Sequence, residues 1–135
     1  MVEKRVVRTG RAPAPFQGAP YSQAIVAGDL VFVSGQIAID PATGELVPGG
    51  ISEQTERVMQ SLGAILEEAG SSLENLVKTT IFLADFAHFG EMNEVYARFV
   101  GERPPARATV EIGTLPQGAL IEIDAVATSS AESPR

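Results

Sequence analysis

Three placements in this sequence could carry chemistry. Arg107 closes the run Pro104-Pro105-Ala106-Arg107 and opens a strand-like stretch. Proline fixes φ, so a guanidinium on such a lead is held in place. A fixed guanidinium is the natural partner of a planar carboxylate, through two parallel charge-assisted bonds. The other reading is a surface arginine. Glu122 lies in Leu120-Ile121-Glu122-Ile123-Asp124-Ala125-Val126. Strand alternation puts Leu120, Glu122, Asp124 and Val126 on one face and Ile121, Ile123 and Ala125 on the other. A carboxylate interleaved with Leu and Val can sit half-buried, ready to orient water or move a proton. The alternative is a strand's ordinary polar face. Ser34-Gly35 offers a hydroxyl beside an approachable backbone N–H, and Tyr21 lies in a proline-rich loop. Neither signal means much alone.

The counts remove other chemistries. With no cysteine among 135 residues, disulfides, thiolate nucleophiles and cysteine zinc sites are excluded. His88 is the single histidine, so no multi-histidine metal site or two-histidine nuclease can be built within one chain, and no Ser-His-Asp set forms. No Walker-type glycine loop is present. A net charge of −7 repels phosphate backbones, whose neutralisation dominates nucleic-acid binding. Lys4, Arg5, Arg8 and Arg11 form a small basic cluster that reads as an exposed strand edge. His88 reads as a solvated helix-start residue. At 44% hydrophobic and 20% charged residues the chain has the balance of a soluble globular protein. Its longest apolar stretch, 24–39, is broken by Gly28, Asp29, Ser34, Gly35 and Gln36, well short of the roughly 18–20 residues of a membrane span. The charged Met1-Val2-Glu3-Lys4-Arg5 leads into no apolar core of a signal peptide. The expected compartment is the cytoplasm.

The elements that must position these residues are legible in period and punctuation. A short strand at 4–8 is followed by a long irregular loop, 9–22, carrying Gly10, Pro13, Pro15, Gly18 and Pro20. Loops of that length are often functional, and a plain surface crossing is the alternative. Ala24-Ile25-Val26-Ala27 and Leu30-Val31-Phe32-Val33 flank Gly28-Asp29 as a hairpin. Gly35 marks a bulge or a close approach by another group. Turns follow at 41–44 and 48–50. A helix over 52–69, with Ser52 as its cap and Glu53 and Glu56 near its positive end, buries Val58, Leu62, Ile65, Leu66 and Ala69 and stops at Gly70. A strand at Leu76–Leu83 leads to a helix over 87–100, started by Asp85, with Phe89, Met92, Tyr96, Phe99 and Val100 as its apolar stripe. Strands at 107–112 and 120–127 complete a single domain over 1–128, and a disordered tail is expected over 129–135. This order gives an α+β fold, one mixed six-stranded sheet with two helices packed on one face. Apolar residues on both sides of several strands lead us to expect the other face to be buried against further subunits.

Six segments in this order carry a family resemblance: Ala19-Pro20-Tyr21-Ser22-Gln23-Ala24-Ile25, Val31-Phe32-Val33-Ser34-Gly35-Gln36-Ile37, Val77-Lys78-Thr79-Thr80-Ile81-Phe82-Leu83, Met92-Asn93-Glu94-Val95-Tyr96, Pro105-Ala106-Arg107-Ala108-Thr109-Val110, and Leu115-Pro116 followed by Ile121-Glu122-Ile123-Asp124-Ala125. Over about residues 5–127 the chain resembles the RidA family (YjgF/YER057c/UK114), the enamine/imine deaminases. The resemblance implies a chorismate-mutase-like fold and a homotrimer with sites between subunits. It implies hydrolysis of 2-aminoacrylate-type enamines and their imines, such as 2-iminobutyrate and 2-iminopropionate, to 2-oxo acids and ammonia, with neither metal nor organic cofactor. Arg107 matches the arginine that clamps the substrate carboxylate, and Gly35 would offer its N–H to the same group. Tyr21 would close the pocket, Ser34 and Asn93 would line it, and Thr109 occupies a lining position that is Cys in some members. Glu122 matches the acid that positions the attacking water. Ala19 stands where a glycine often precedes the Pro-Tyr pair. Two further readings stay open: a non-catalytic trimer that senses 2-oxo acids or other small carboxylates, and an RNA-cleaving translation inhibitor, which the acidic balance and single histidine disfavour. No nucleic-acid or membrane partner is expected.

Overall fold

The structure, a computed structural model, describes residues 2–129. Its strands are β1 (Lys4–Val7), β2 (Ala24–Ala27), β3 (Leu30–Gln36), β4 (Leu76–Leu83), β5 (Ala106–Glu111) and β6 (Ile121–Thr128); its helices are α1 (Ile51–Glu68) and α2 (Phe89–Val100). They build one six-stranded sheet in the order β1-β2-β3-β6-β4-β5. Every neighbouring pair is antiparallel except β4–β5. The connections through α1 (β3 to β4) and α2 (β4 to β5) step across the sheet in the same direction. Crossovers of one hand then place both helices on one face. The expected architecture, a mixed six-stranded sheet with two helices on one side, is what forms.

The core lies between that face and α1. Val58, Met59, Leu62, Ile65 and Leu66 are fully buried, against Val31, Ile81, Leu83, Ile121 and Ile123. Burial of apolar surface here, at about 25 cal/mol per Å², is the main source of stability. α2 adds Met92, Val95 and Tyr96. The C-terminal signal at Gly70 holds: its φ is +85° and the Ser71 N–H reaches the Leu66 carbonyl at 2.8 Å, the bond that closes a left-handed cap.

The N-terminal signal of α1 needs correction. Ser52 does not cap the helix. It stands inside the first turn and its Oγ donates to Glu91 Oε2 at 2.7 Å, tying α1 to α2. The cap position is Gly50, whose N–H donates to Glu53 Oε1 at 2.8 Å. That bond holds the Glu53 carboxyl below its usual range. For α2 the start signal is in place, since Asp85 Oδ1 accepts from the Ala87 N–H at 2.9 Å, in the tight turn Phe86–His88 that precedes the helix. His88 sits partly exposed in this turn. The expected tail over 129–135 falls outside the described residues apart from Ser129, whose N–H donates to the Asp29 carbonyl at 2.8 Å.

Among the described residues, no helix covers the second face of the sheet. Val6, Leu30, Phe32 and Val110 are 46%, 38%, 45% and 41% exposed. Their strand neighbours Val7, Val31 and Val33 point into the core.

Candidate active site

The chain assembles two groups of the candidate side chains. The first surrounds Glu122 on the uncovered face. β6 alternates as the sequence dictates: Ile121, Ile123, Ala125 and Ala127 are buried toward the helices, while Glu122, Asp124 and Val126 are half-buried on the other side. Opposite Glu122, β3 carries a bulge. Its pairing with β6 jumps from Val33↔Ala125 to Gln36↔Ile123, leaving Ser34 and Gly35 out of register. Both readings of Gly35 are therefore right. The bulge is there, and the Glu122 side chain lies directly over it. A Cβ at position 35 would come within 2.9 Å of the Glu122 Cδ and closer still to its Oε2. Packing against this backbone keeps water from part of the carboxyl group. Burial, and secondly the charge of Asp124, raise its pKa above the ordinary carboxylate value.

The loop 9–22 walls an open cleft of about 860 Å³ at this point, lined by Pro15, Phe16, Tyr21, Ser34, Gly35 and Glu122, among others. Its backbone bonds itself only into the tight turn Phe16–Gly18 and its flanks, and buried Gln23 gathers the stretch 9–13 instead. Gln23 Oε1 accepts from the Thr9 N–H at 2.7 Å, and Nε2 donates to the carbonyls of Thr9, Ala12 and Pro13 at 3.1, 3.3 and 2.8 Å. Tyr21 is pinned through its hydroxyl, which accepts from the Phe16 N–H at 2.7 Å. Ser34 Oγ donates to the Ser22 carbonyl at 2.6 Å. Gln17 and Gln117, at φ 53° and 58°, are the two non-glycine residues with positive φ among the described residues, and both line the cleft.

The second group stands at the β5 edge, on the helix face. Arg107 Nη1 donates to Asn93 Oδ1 of α2 at 2.8 Å, and its guanidinium carbon lies 5.2 Å from the ring centre of Tyr96 and 5.5 Å from that of Phe89. Thr109, two residues along the same face, has its Oγ1 buried with no hydrogen-bond partner among the described residues. Tyr21, Ser34, Gly35 and Glu122 are thus brought together, and so are Arg107, Asn93 and Thr109. The two sets occupy opposite faces of the sheet and do not meet within one chain.

Three contributors escaped the sequence reading. Gln23 was visible only as part of a motif. Its signal is a long-chain amide next to a loop whose prolines leave carbonyls unpaired. Tyr96 and Phe89 read as core stripe, yet both present ring faces to Arg107. The basic cluster proves structural in part: Arg5 Nη2 and Arg11 Nη2 donate to the Ala69 and Ala64 carbonyls near the end of α1, at 3.2 and 3.4 Å, and Arg11 pairs with Glu67 at 3.1 Å. Cations there suit the helix dipole. Among the described residues no group of three His, Asp or Glu could hold a metal, and no helix is long and apolar enough to cross a membrane.

The family model described as Endoribonuclease L-PSP matches residues 9–129. A RutC family protein of Pyrococcus abyssi is 53% identical over 124 residues, 92% of this chain and 96% of that one. A protein of Rattus norvegicus named 2-iminobutanoate/2-iminopropanoate deaminase is 45% identical over 124 residues, 92% of this chain and 89% of that one. The crystal structure of yeast Mmf1 matches with a TM-score of 0.89 at 41% identity, covering 94% of this chain and 99% of that one.

Proposed function

The chain belongs to the Endoribonuclease L-PSP family, that of the RidA and RutC proteins, and from that premise we propose that it hydrolyses 2-imino acids and their enamine tautomers to 2-oxo acids and ammonia. The observation that carries this reading is Glu122, a half-buried carboxyl of raised pKa set over the side-chain-free Gly35 in an open cleft. Burial raises the proton affinity of this carboxyl above that of an exposed one, so it can take a proton from water and return it. The deaminase name of relatives at 45% identity supports the same chemistry.

In this scheme Arg107 binds the substrate carboxylate. Its Nη1 is committed to Asn93, while Nε and Nη2 have no hydrogen-bond partner among the described residues. The Gly35 N–H, at the bulge, adds a second donor. Glu122 orients a water toward C2 and accepts its proton as the C–O bond forms. The imine nitrogen takes that proton to complete the carbinolamine, and the hydroxyl proton then passes through Glu122 to the same nitrogen as the C–N bond breaks, leaving the 2-oxo acid and ammonia. Water adds to imines readily in solution, so holding the two partners supplies much of the acceleration. Tyr21 and Ser34 wall the cleft, and Thr109 lies beside the arginine.

Arg107 and Glu122 occupy opposite faces of one sheet, so the scheme needs a second copy. We place the site between subunits of a homotrimer, in which the apolar face carrying Val6, Leu30, Phe32 and Val110 is covered. Ammonia release from enzymatically generated 2-iminobutanoate tests the activity. Release no faster than in the Glu122→Gln variant refutes it. Tight 2-oxobutanoate binding without turnover would instead identify a carboxylate sensor. The family's nuclease name calls for a parallel assay on RNA at varied salt, and with a net charge of −7 no cleavage is expected.

A further inference from the structure

Three residues of α2, Phe89, Asn93 and Tyr96, are spaced i, i+4 and i+7, so they share one helix face. That face meets Arg107 on β5. Asn93 takes one N–H of the guanidinium at 2.8 Å. The two rings meet its carbon at 5.2 and 5.5 Å from their centres, within the range where a cation is attracted to the ring quadrupole. Each ring is itself fixed. The Tyr96 hydroxyl lies 2.6 Å from Thr79 Oγ1, both buried, and Thr79 stands directly opposite Arg107 in the β4–β5 ladder. The Phe89 ring stacks on Phe86 at 4.8 Å and 15°, and the Phe86 N–H donates to Glu111 Oε1 at the end of β5, 2.8 Å away. The shelf that carries the arginine is therefore anchored both to β5 and to its neighbour β4.

We propose that Tyr96 and Phe89 are positioning residues that hold the Arg107 guanidinium against their ring faces, so that with Asn93 they fix its plane and leave Nε and Nη2 as a ready fork for the substrate carboxylate. The proposal rests on the deaminase reading for its substrate, and the geometry of the shelf stands independently of it. The rings touch neither water nor the reacting carbon. They act through Arg107 alone.

The test compares Phe89→Leu, Tyr96→Leu and Tyr96→Phe with the parent, each as the intact oligomer. Both leucine variants should raise the KM for 2-iminobutanoate and the Kd for 2-oxobutanoate about 2- to 30-fold, with kcat changing less than KM. Tyr96→Phe keeps the ring and should restore most of the loss. In an Arg107→Ala background the leucine substitutions should add nothing, because no guanidinium remains to be held. A purely structural role would cost as much in that background as in the parent. If Tyr96→Leu fails to fold, the partly exposed Phe89 still decides the question. A readout free of activity is the resonance of the Arg107 side-chain protons, which ring currents should move upfield in the parent and release in Phe89→Leu. Unshifted Arg107 signals in the parent, or leucine variants whose KM and Kd equal the parent's, overturn the proposal and leave the deaminase reading intact. Shifted signals in a parent that neither binds 2-oxobutanoate nor releases ammonia support the positioning role and remove the deaminase reading instead.

Discussion

Arg107 and Glu122 should fail in different ways. The carboxylate that Arg107 is proposed to hold is present in substrate, transition state and product, so its loss weakens all three. Leaving a charge unpaired in a cleft costs about 2–4 kcal/mol, which lowers kcat/KM roughly 30- to 1000-fold in Arg107→Ala and weakens 2-oxobutanoate binding in step. Arg107→Lys should recover only part, because an ammonium cannot reproduce the fork. Glu122→Gln removes the base and should reduce kcat by about 100-fold or more while 2-oxo acid affinity holds. Steady-state kinetics with calorimetric titration separates the two patterns. Glu122 also has a signature in stability. Its folded pKa lies above the ordinary 4.5, so the folded state binds the extra proton. That contribution is complete below the unfolded pKa and is lost as pH rises through the folded one. Thermal melts should therefore show Glu122→Gln gaining stability relative to the parent as pH is raised across that window. A gap that shrinks with rising pH would show the burial of this carboxyl to be misjudged.

At the scale of elements, most of the fold was legible because each strand and helix carries its own period and its own stop. β6 gave away the facing of Glu122 through alternation alone. The start of α1 was not legible from residue preferences, because its cap is a glycine served by Glu53 reaching back from the third helical position. The path of the loop 9–22 was hidden as well. Nothing in its prolines says which side chain will gather their carbonyls, and only the folded register shows Gln23 doing so. Gln23→Leu keeps the volume and deletes four hydrogen bonds. Leaving such groups unpaired costs about 1–3 kcal/mol, read from urea unfolding. In limited proteolysis the first cuts should fall between residues 9 and 22. Cleavage elsewhere first would mean the loop is held by other contacts.

For the whole molecule, the separation of Arg107 from Glu122 was out of reach of the sequence. Alternation assigns each to a face of its own strand, but relating those faces requires knowing that β5 pairs with β4 and lies under α2. The separation makes a prediction that no single-chain site shares. If each site takes Arg107 from one subunit and Glu122 from another, then mixing inactive Arg107→Ala and Glu122→Gln subunits should restore activity. Random assembly leaves about one site in four with both residues intact. Co-refolding the two variants and measuring ammonia release checks this, and a mixture as inactive as its components would rule out the shared site.

The strand order has a temporal meaning as well. β6 follows every other strand among the described residues and yet lies between β3 and β4. Until it leaves the ribosome, the emerging polypeptide holds two separate ladders, β1-β2-β3 and β4-β5, with no shared spine. Synthesis proceeds at about 5–20 residues per second, so for several seconds the apolar surfaces of α1 and the growing strands lack their common partner. Folding must then wait for β6 to emerge, and the nascent chain is a natural client for holdase chaperones. A stalled chain ending near residue 120 should stay protease-sensitive, and supplying β6 as a separate peptide should rescue it, much as a keystone completes an arch.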